Sequence, residues 1–200
     1  IGMVISKRMT VRKLPGYLVA QFLGAFAAGW MIYLLFSPSI AAYESMHEIV
    51  RGSAESVATA KMFGEYYTRG AAVVSMPLAI AAEAFGTFLL VLLIFALTEG
   101  CNVGRPSDGM APVFIGLTVS SVIFLIAPLT QAGLNPARDF GPPMVAWLTG
   151  WGNAAFPDNS GGFFFVYILG PVIGGVAAAC FFLYIIEPLM KKKTRGCDCQ

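Results

Sequence analysis

The chain has 200 residues, 57% of them hydrophobic and 12% charged, with a mean hydropathy of +0.73. Soluble domains carry about 25% charged residues, so the composition excludes a soluble domain and points to an integral membrane protein of a handful of spans. The net charge of +2 gives no ground for a nucleic-acid partner, because the basic residues flank apolar stretches, where membrane topology accounts for them.

Residues 1–10 are apolar and then turn basic through Lys7, Arg8, Arg12 and Lys13. Residues 14–35 form the first predicted span, long enough at about 1.5 Å per residue to cross a hydrocarbon core of about 30 Å. Pro15 falls in its first turn, where a missing N–H is harmless. Gly24 and Gly29, with Ala25, Ala27 and Ala28, make a surface for close helix packing. Gln21 reads as a packing hydrogen bond or a pore-lining group. Residues 36–76 form a long polar connection carrying Glu44, Glu48, Arg51, Glu55, Lys61, Glu65 and Arg69. His47, the one histidine, has no neighbours suited to metal binding or catalysis and reads as an ordinary loop residue. Residues 78–97 form the second span and contain Glu83. A carboxylate inside a span is costly and demands a reason. Residues 110–129 form the third span, and residues 163–186 the fourth, with Gly170, Pro171, Gly174 and Gly175 as a face for close approach.

With both ends cytoplasmic, the inner segments hold Lys7, Arg8, Arg12, Lys13, Arg105, Lys191, Lys192, Lys193 and Arg195, most of the 13 Lys and Arg. This orientation follows the positive-inside rule. Cys101, Cys197 and Cys199 then fall on cytoplasmic segments and Cys180 within a span, where thiols are expected to stay reduced.

Between the third and fourth spans lies TQAGLNPARDFGPP, residues 130–143. Asn is a preferred N-cap and Pro suits the first helical position, so Asn135 and Pro136 start a helix. Gly141, Pro142 and Pro143 are expected to limit its regularity after about two turns. The residues before it, 130–134, read as irregular backbone. Within a membrane, such backbone survives only where it lines a water-filled cavity or is packed in protein. The helix N-terminus presents free N–H groups and the positive end of a dipole. Residues 130–148 are therefore expected to form an irregular loop and short helix on a polar path through a membrane.

GLNPARDFGPP resembles the second Asn-Pro-Ala motif of the aquaporin and glycerol-facilitator family, and the Asp after Arg is similar to the glycerol-conducting branch. HEIVRGSAESVATAKMF resembles that branch's long outer loop. IGMVISKRMTVRK resembles the stretch just after the first Asn-Pro-Ala motif, so residues 1–10 are expected to end the first half-helix, with two spans and that motif preceding. The resemblance implies an all-α membrane protein, a right-handed helical bundle with re-entrant half-helices. About four spans and one complete half-helix of a six-span inverted repeat are expected in this chain.

The family's site then maps onto Asn135, Pro136, Ala137, Arg138 and Asp139. Asn135 would cap the half-helix and turn its NH₂ into the pore. Arg138 would offer guanidinium donors to solute oxygens and repel cations. Glu83 would accept hydrogen bonds from orphaned N–H groups of the re-entrant loop. The remaining filter positions fall on Ala132 and Ile123. That aliphatic pair is similar to the filter of plant nodulin-26-like channels, which are associated with glycerol and undissociated metalloid acids. The resemblance implies a passive channel for glycerol, other small uncharged solutes and water in the cell membrane, a homotetramer with a cytoplasmic C-terminus, and no cofactor, metal or nucleic acid. Water-selective and metalloid-acid channels are the nearest alternatives. A secondary transporter with a broken helix over an anion site would want further charge deep in the spans, where only Glu83 lies. An enzyme would need a nucleophile–base pair or metal ligands, and the spans offer neither.

Overall fold

The computed structural model describes residues 1–67, 74–156 and 161–193. Those residues form helices and connecting turns, with no strand among them. A short α1 (Gly2–Ile5) precedes α2 (Leu14–Met46), α3 (Val57–Ala60), α4 (Met76–Thr98), α5 (Ala111–Thr130), α6 (Pro136–Ala146), α7 (Gly170–Phe181) and α8 (Glu187–Lys193). π-Helical stretches at Phe164–Leu169 and Phe182–Ile186 join α7 and α8 into one long rod. Four helical stretches are long and apolar enough to cross a membrane: Val11–Met46, Met76–Thr98, Ala111–Thr130 and Phe164–Lys192. Large apolar side chains left uncovered on α2 and α5, such as Leu35 and Phe124, suit hydrocarbon rather than water.

Glycine decides how closely these rods approach. A Cβ placed on Gly174 of α7 would lie 2.0 Å from the carbonyl oxygen of Ala84 in α4. One turn earlier, a Cβ on Gly170 would meet the Ile80 carbonyl oxygen at 3.2 Å. The α4–α7 crossing is therefore a backbone-to-backbone contact, the geometry that small residues permit between membrane helices. The half-helix α6 is seated on α2 in the same way: a Cβ on Gly141 would fall 2.6 Å from the Phe26 nitrogen. α5 also packs against α4, with Val122 and Ile126 close to Gly86.

Two elements run further than the apolar pattern suggests. α2 continues to Met46, a helix of 33 residues, about 50 Å long at 1.5 Å per residue. The hydrocarbon core is about 30 Å thick, so the end of α2 projects beyond it, where no apolar run is needed. Pro38 lies inside this extension. α6 runs through Pro142 and Pro143 to Ala146, 11 residues in all. The two prolines forgo backbone hydrogen bonds to residues 138 and 139 without ending the helix.

The projecting end of α2 organises the connection that follows it. Glu44 is buried there and binds the Arg51 guanidinium, with Nη2 to Oε2 at 2.7 Å. Its Oε1 accepts the Thr59 hydroxyl at 2.8 Å. Trp151 Nε1–H donates in turn to Thr59 Oγ1 at 2.9 Å, and the Arg51 guanidinium lies 4.0 Å from the Trp151 ring centroid. Charge, hydroxyl and indole thus pin three chain segments together. Thr59→Val preserves shape but removes the shared hydroxyl. It is expected to destabilise the protein by about 1–3 kcal/mol, the range for an orphaned buried polar group, read as a lower thermal midpoint in detergent.

At the other end, Arg8 pairs with Glu99 and lies 4.9 Å and 5.2 Å from the Phe95 and Phe182 ring centroids. Cys101, nearby in the chain, is buried and disulfide-bonded, not the reduced thiol expected; Cys180 is free. Arg195, Cys197 and Cys199 lie outside the described residues. No group of three or more His, Cys, Asp or Glu suited to a metal occurs among the described residues.

Candidate functional site: a half-helix opening on a cavity

The site begins with a helix that stops and restarts. α5 ends at Thr130, and Gln131, Ala132 and Leu134 adopt φ of 64°, 64° and 58°. Left-handed backbone costs an ordinary residue about 1–2 kcal/mol, so this run must be held by other contacts. Gln131 N–H donates to Ala127 O at 2.9 Å, and Ala132 N–H to Thr130 Oγ1 at 3.2 Å. Thr130 O accepts the Tyr167 hydroxyl at 2.8 Å. The decisive partner is Glu83, fully buried on α4. Its Oε1 accepts the Gly133 N–H at 3.0 Å and its Oε2 the Leu134 N–H at 2.7 Å. One carboxylate therefore satisfies two consecutive backbone donors that no regular structure could.

With those N–H groups consumed behind the loop, the carbonyl oxygens of residues 131–134 accept no hydrogen bond among the described residues. The loop then turns extended at Asn135 (φ −143°, ψ 111°), whose Oδ1 accepts the Ala137 N–H at 3.0 Å and caps α6. The Asn135 NH₂ makes no hydrogen bond among the described residues. Pro136 occupies the first helical position, so its missing N–H leaves no orphan.

Arg138 lies one turn into α6. Its Nη1 donates to Asp139 Oδ1 at 2.6 Å, and its Nη2 to Glu65 Oε1. Asp139 is only 1% exposed and sits behind the half-helix. A Cβ on Gly133 would lie 2.2 Å from Asp139 Oδ2, so only glycine fits where the loop folds back on this carboxylate. Burial pushes the Glu65 carboxyl above its ordinary range, and the Arg138 charge draws it back down.

One cavity of about 750 Å³ gathers these groups. Ile123, Ala132, Asn135, Pro136, Ala137 and Arg138 all line it. Gln21 and Glu65 line it too. Glu83 and Asp139 do not; they brace the lining from behind. Apart from Arg138 and Glu65, the lining carries no charged side chain among the described residues. The arrangement offers donors from Asn135 and Arg138, acceptors from the loop carbonyls, and an aliphatic wall from Ile123 and Ala132. Such a surface suits a small neutral molecule with hydroxyl and carbon faces.

Glu65 escaped the sequence reading because a charge in a polar connection reads as solvated. Its setting was the available signal: Phe63, Tyr66 and Tyr67 surround it in the chain and are all buried.

Four apolar crossings around a broken, capped helix define an integral membrane protein. The chain belongs to the major intrinsic protein family, whose model matches residues 1–183. It is 40% identical over 179 residues to the propanediol uptake facilitator PduF of Salmonella typhimurium, covering 88% of this chain and 65% of that protein. It is 40% identical over 172 residues to the glycerol uptake facilitator protein of Escherichia coli K12, covering 84% of this chain and 59% of that protein. The chain thus spans less than two thirds of the length of these curated relatives. The solved aquaglyceroporin of Plasmodium falciparum superposes with a TM-score of 0.76 at 21% identity, over 96% of this chain and 72% of that one. That likeness shows the fold.

Proposed function

We propose that these elements belong to a passive membrane channel for glycerol, related small diols and water, closed to ions and protons. The observation that carries the reading is the shared lining: Asn135, Arg138, Ala132 and Ile123 face one cavity beside a capped half-helix. A solute passing there exchanges hydration for guanidinium and amide donors on one side and loop carbonyls on another. No single contact holds it tightly, as conduction requires. The half-helix N-terminus and Arg138 oppose cations, and among the described residues Glu65 is the one titratable carboxylate of the lining, a single group that makes no proton relay. Pro136, Ala137 and Asp139 set the half-helix, and Glu83 sets the loop. The relatives named for glycerol and propanediol uptake fit the aliphatic wall, which favours a diol's carbon face. Undissociated boric acid is a second solute of suitable size and neutrality. Neither a metal nor a cofactor enters this reading. A homotetramer in the cell membrane with a cytoplasmic C-terminus, each protomer carrying its own pore, completes it.

The test is stopped-flow light scattering on proteoliposomes of the full-length protein. Glycerol and 1,2-propanediol fluxes are expected to exceed those of empty vesicles, to rise linearly with the gradient and to ignore a proton gradient. Flux that saturates steeply, or that follows the proton gradient, refutes a passive channel and favours a coupled transporter.

A further inference from the structure

Arg138 is held between two carboxylates with different positions. Asp139 lies behind the half-helix and away from the lumen, whereas Glu65 is part of the cavity lining. Glu65 comes from the outer connection, 73 residues away in sequence. Its neighbours fasten it in place: Tyr66 N–H donates to Gln131 Oε1 at 2.8 Å, and the Tyr66 hydroxyl to Ala154 O at 2.7 Å. The Tyr67 and Tyr167 rings pack at 6.4 Å. This anchored segment delivers a carboxylate to the level of Arg138. Only Oε1 is used there; Oε2 accepts no hydrogen bond among the described residues.

An arginine has donors only. Ile123 and Ala132 supply no side-chain acceptor, so beyond the loop carbonyls the carboxylate in the lining that a passing hydroxyl can donate to is Glu65. We propose that Glu65 determines selectivity in the outer filter: one oxygen fixes the Arg138 guanidinium, and the other accepts a hydroxyl proton from a vicinal diol or polyol whose second oxygen rests on Arg138. Water can make the same two hydrogen bonds but has no carbon face to set against Ile123 and Ala132, whereas a vicinal diol makes both bonds and that apolar contact. This deepens the channel reading and rests on it.

The test compares wild type, Glu65→Gln and Glu65→Met in proteoliposomes, reading the ratio of glycerol to water permeability in the same vesicles. Methionine matches the length but has no oxygen acceptor, and the ratio is expected to fall about tenfold, the worth of one hydrogen bond to a charged group. Glutamine retains a neutral acceptor and is expected to recover part of the ratio. A merely structural role would lower both permeabilities together and leave the ratio unchanged, which would overturn the proposal. A second measurement needs no variant: wild type is expected to pass 1,2-propanediol faster than its monomethyl ether, after subtraction of the lipid pathway. Equal rates would overturn the proposal while leaving the channel intact. Wild-type vesicles that pass glycerol no faster than empty ones would instead defeat the channel reading itself.

Discussion

Glu83→Leu is expected to abolish solute flux and to lower the thermal midpoint in detergent sharply. The substitution strips the partner from two buried backbone donors, Gly133 N–H and Leu134 N–H. Each orphaned group costs about 1–3 kcal/mol, so the loss is about 2–6 kcal/mol. That is a large share of a typical net stability of about 5–15 kcal/mol. The loop carries three residues in left-handed conformations, and without the carboxylate the remaining hydrogen bonds at Gln131, Ala132 and Thr130 must offset their cost alone. Glu83→Gln is expected to fall between: one amide oxygen satisfies one N–H, while the NH₂ opposes the other. Hydrogen exchange at Gly133 and Leu134 is the direct readout. Wild-type protection in the leucine variant would mean that the carboxylate is dispensable.

Gly174→Ala is expected to rival that effect through packing alone. The added methyl would sit 2.0 Å from the Ala84 carbonyl oxygen, and a helix backbone cannot rotate away as a side chain can. α4 and α7 must separate. Overpacking costs about 1–3 kcal/mol where side chains can yield, and this contact belongs at the top of that range or above it. Because α4 also carries Glu83, the shift propagates to the loop, so flux is expected to fall together with stability. Gly116→Ala in α5 is the control. Nothing lies within 4 Å of its Cβ position, and replacing a helical glycine there is expected to leave stability unchanged or raise it by up to about 1 kcal/mol.

Much of the fold was legible because membranes impose simple rules. Four apolar runs long enough to cross hydrocarbon announce themselves by length alone. The half-helix was legible for a local reason: Asn135 and Pro136 carry capping chemistry that acts within a turn. Glu83 stood out because a charge among apolar residues is expensive. What stayed hidden depends on distance in the chain. Neither the contact of Glu65 with Arg138 nor the Glu44–Thr59–Trp151 linkage leaves a periodic trace, since each joins segments whose spacing says nothing of their meeting. The length of α2 was hidden for another reason. Ser37, Pro38 and Ser39 punctuate the sequence like a helix end, yet the helix continues to meet Arg51 and Thr59 through Glu44.

The left-handed run before Asn135 also bears on how solute preference can change between related proteins. The acceptors it leaves uncovered are main-chain atoms, identical in every amino acid, so no replacement at 131–134 can delete them without disturbing the fold. On the proposed channel reading, divergence in what is admitted is expected to come from the periphery of that fixed scaffold: the bulk at Ile123, the methyl at Ala132, and the charge at Glu65.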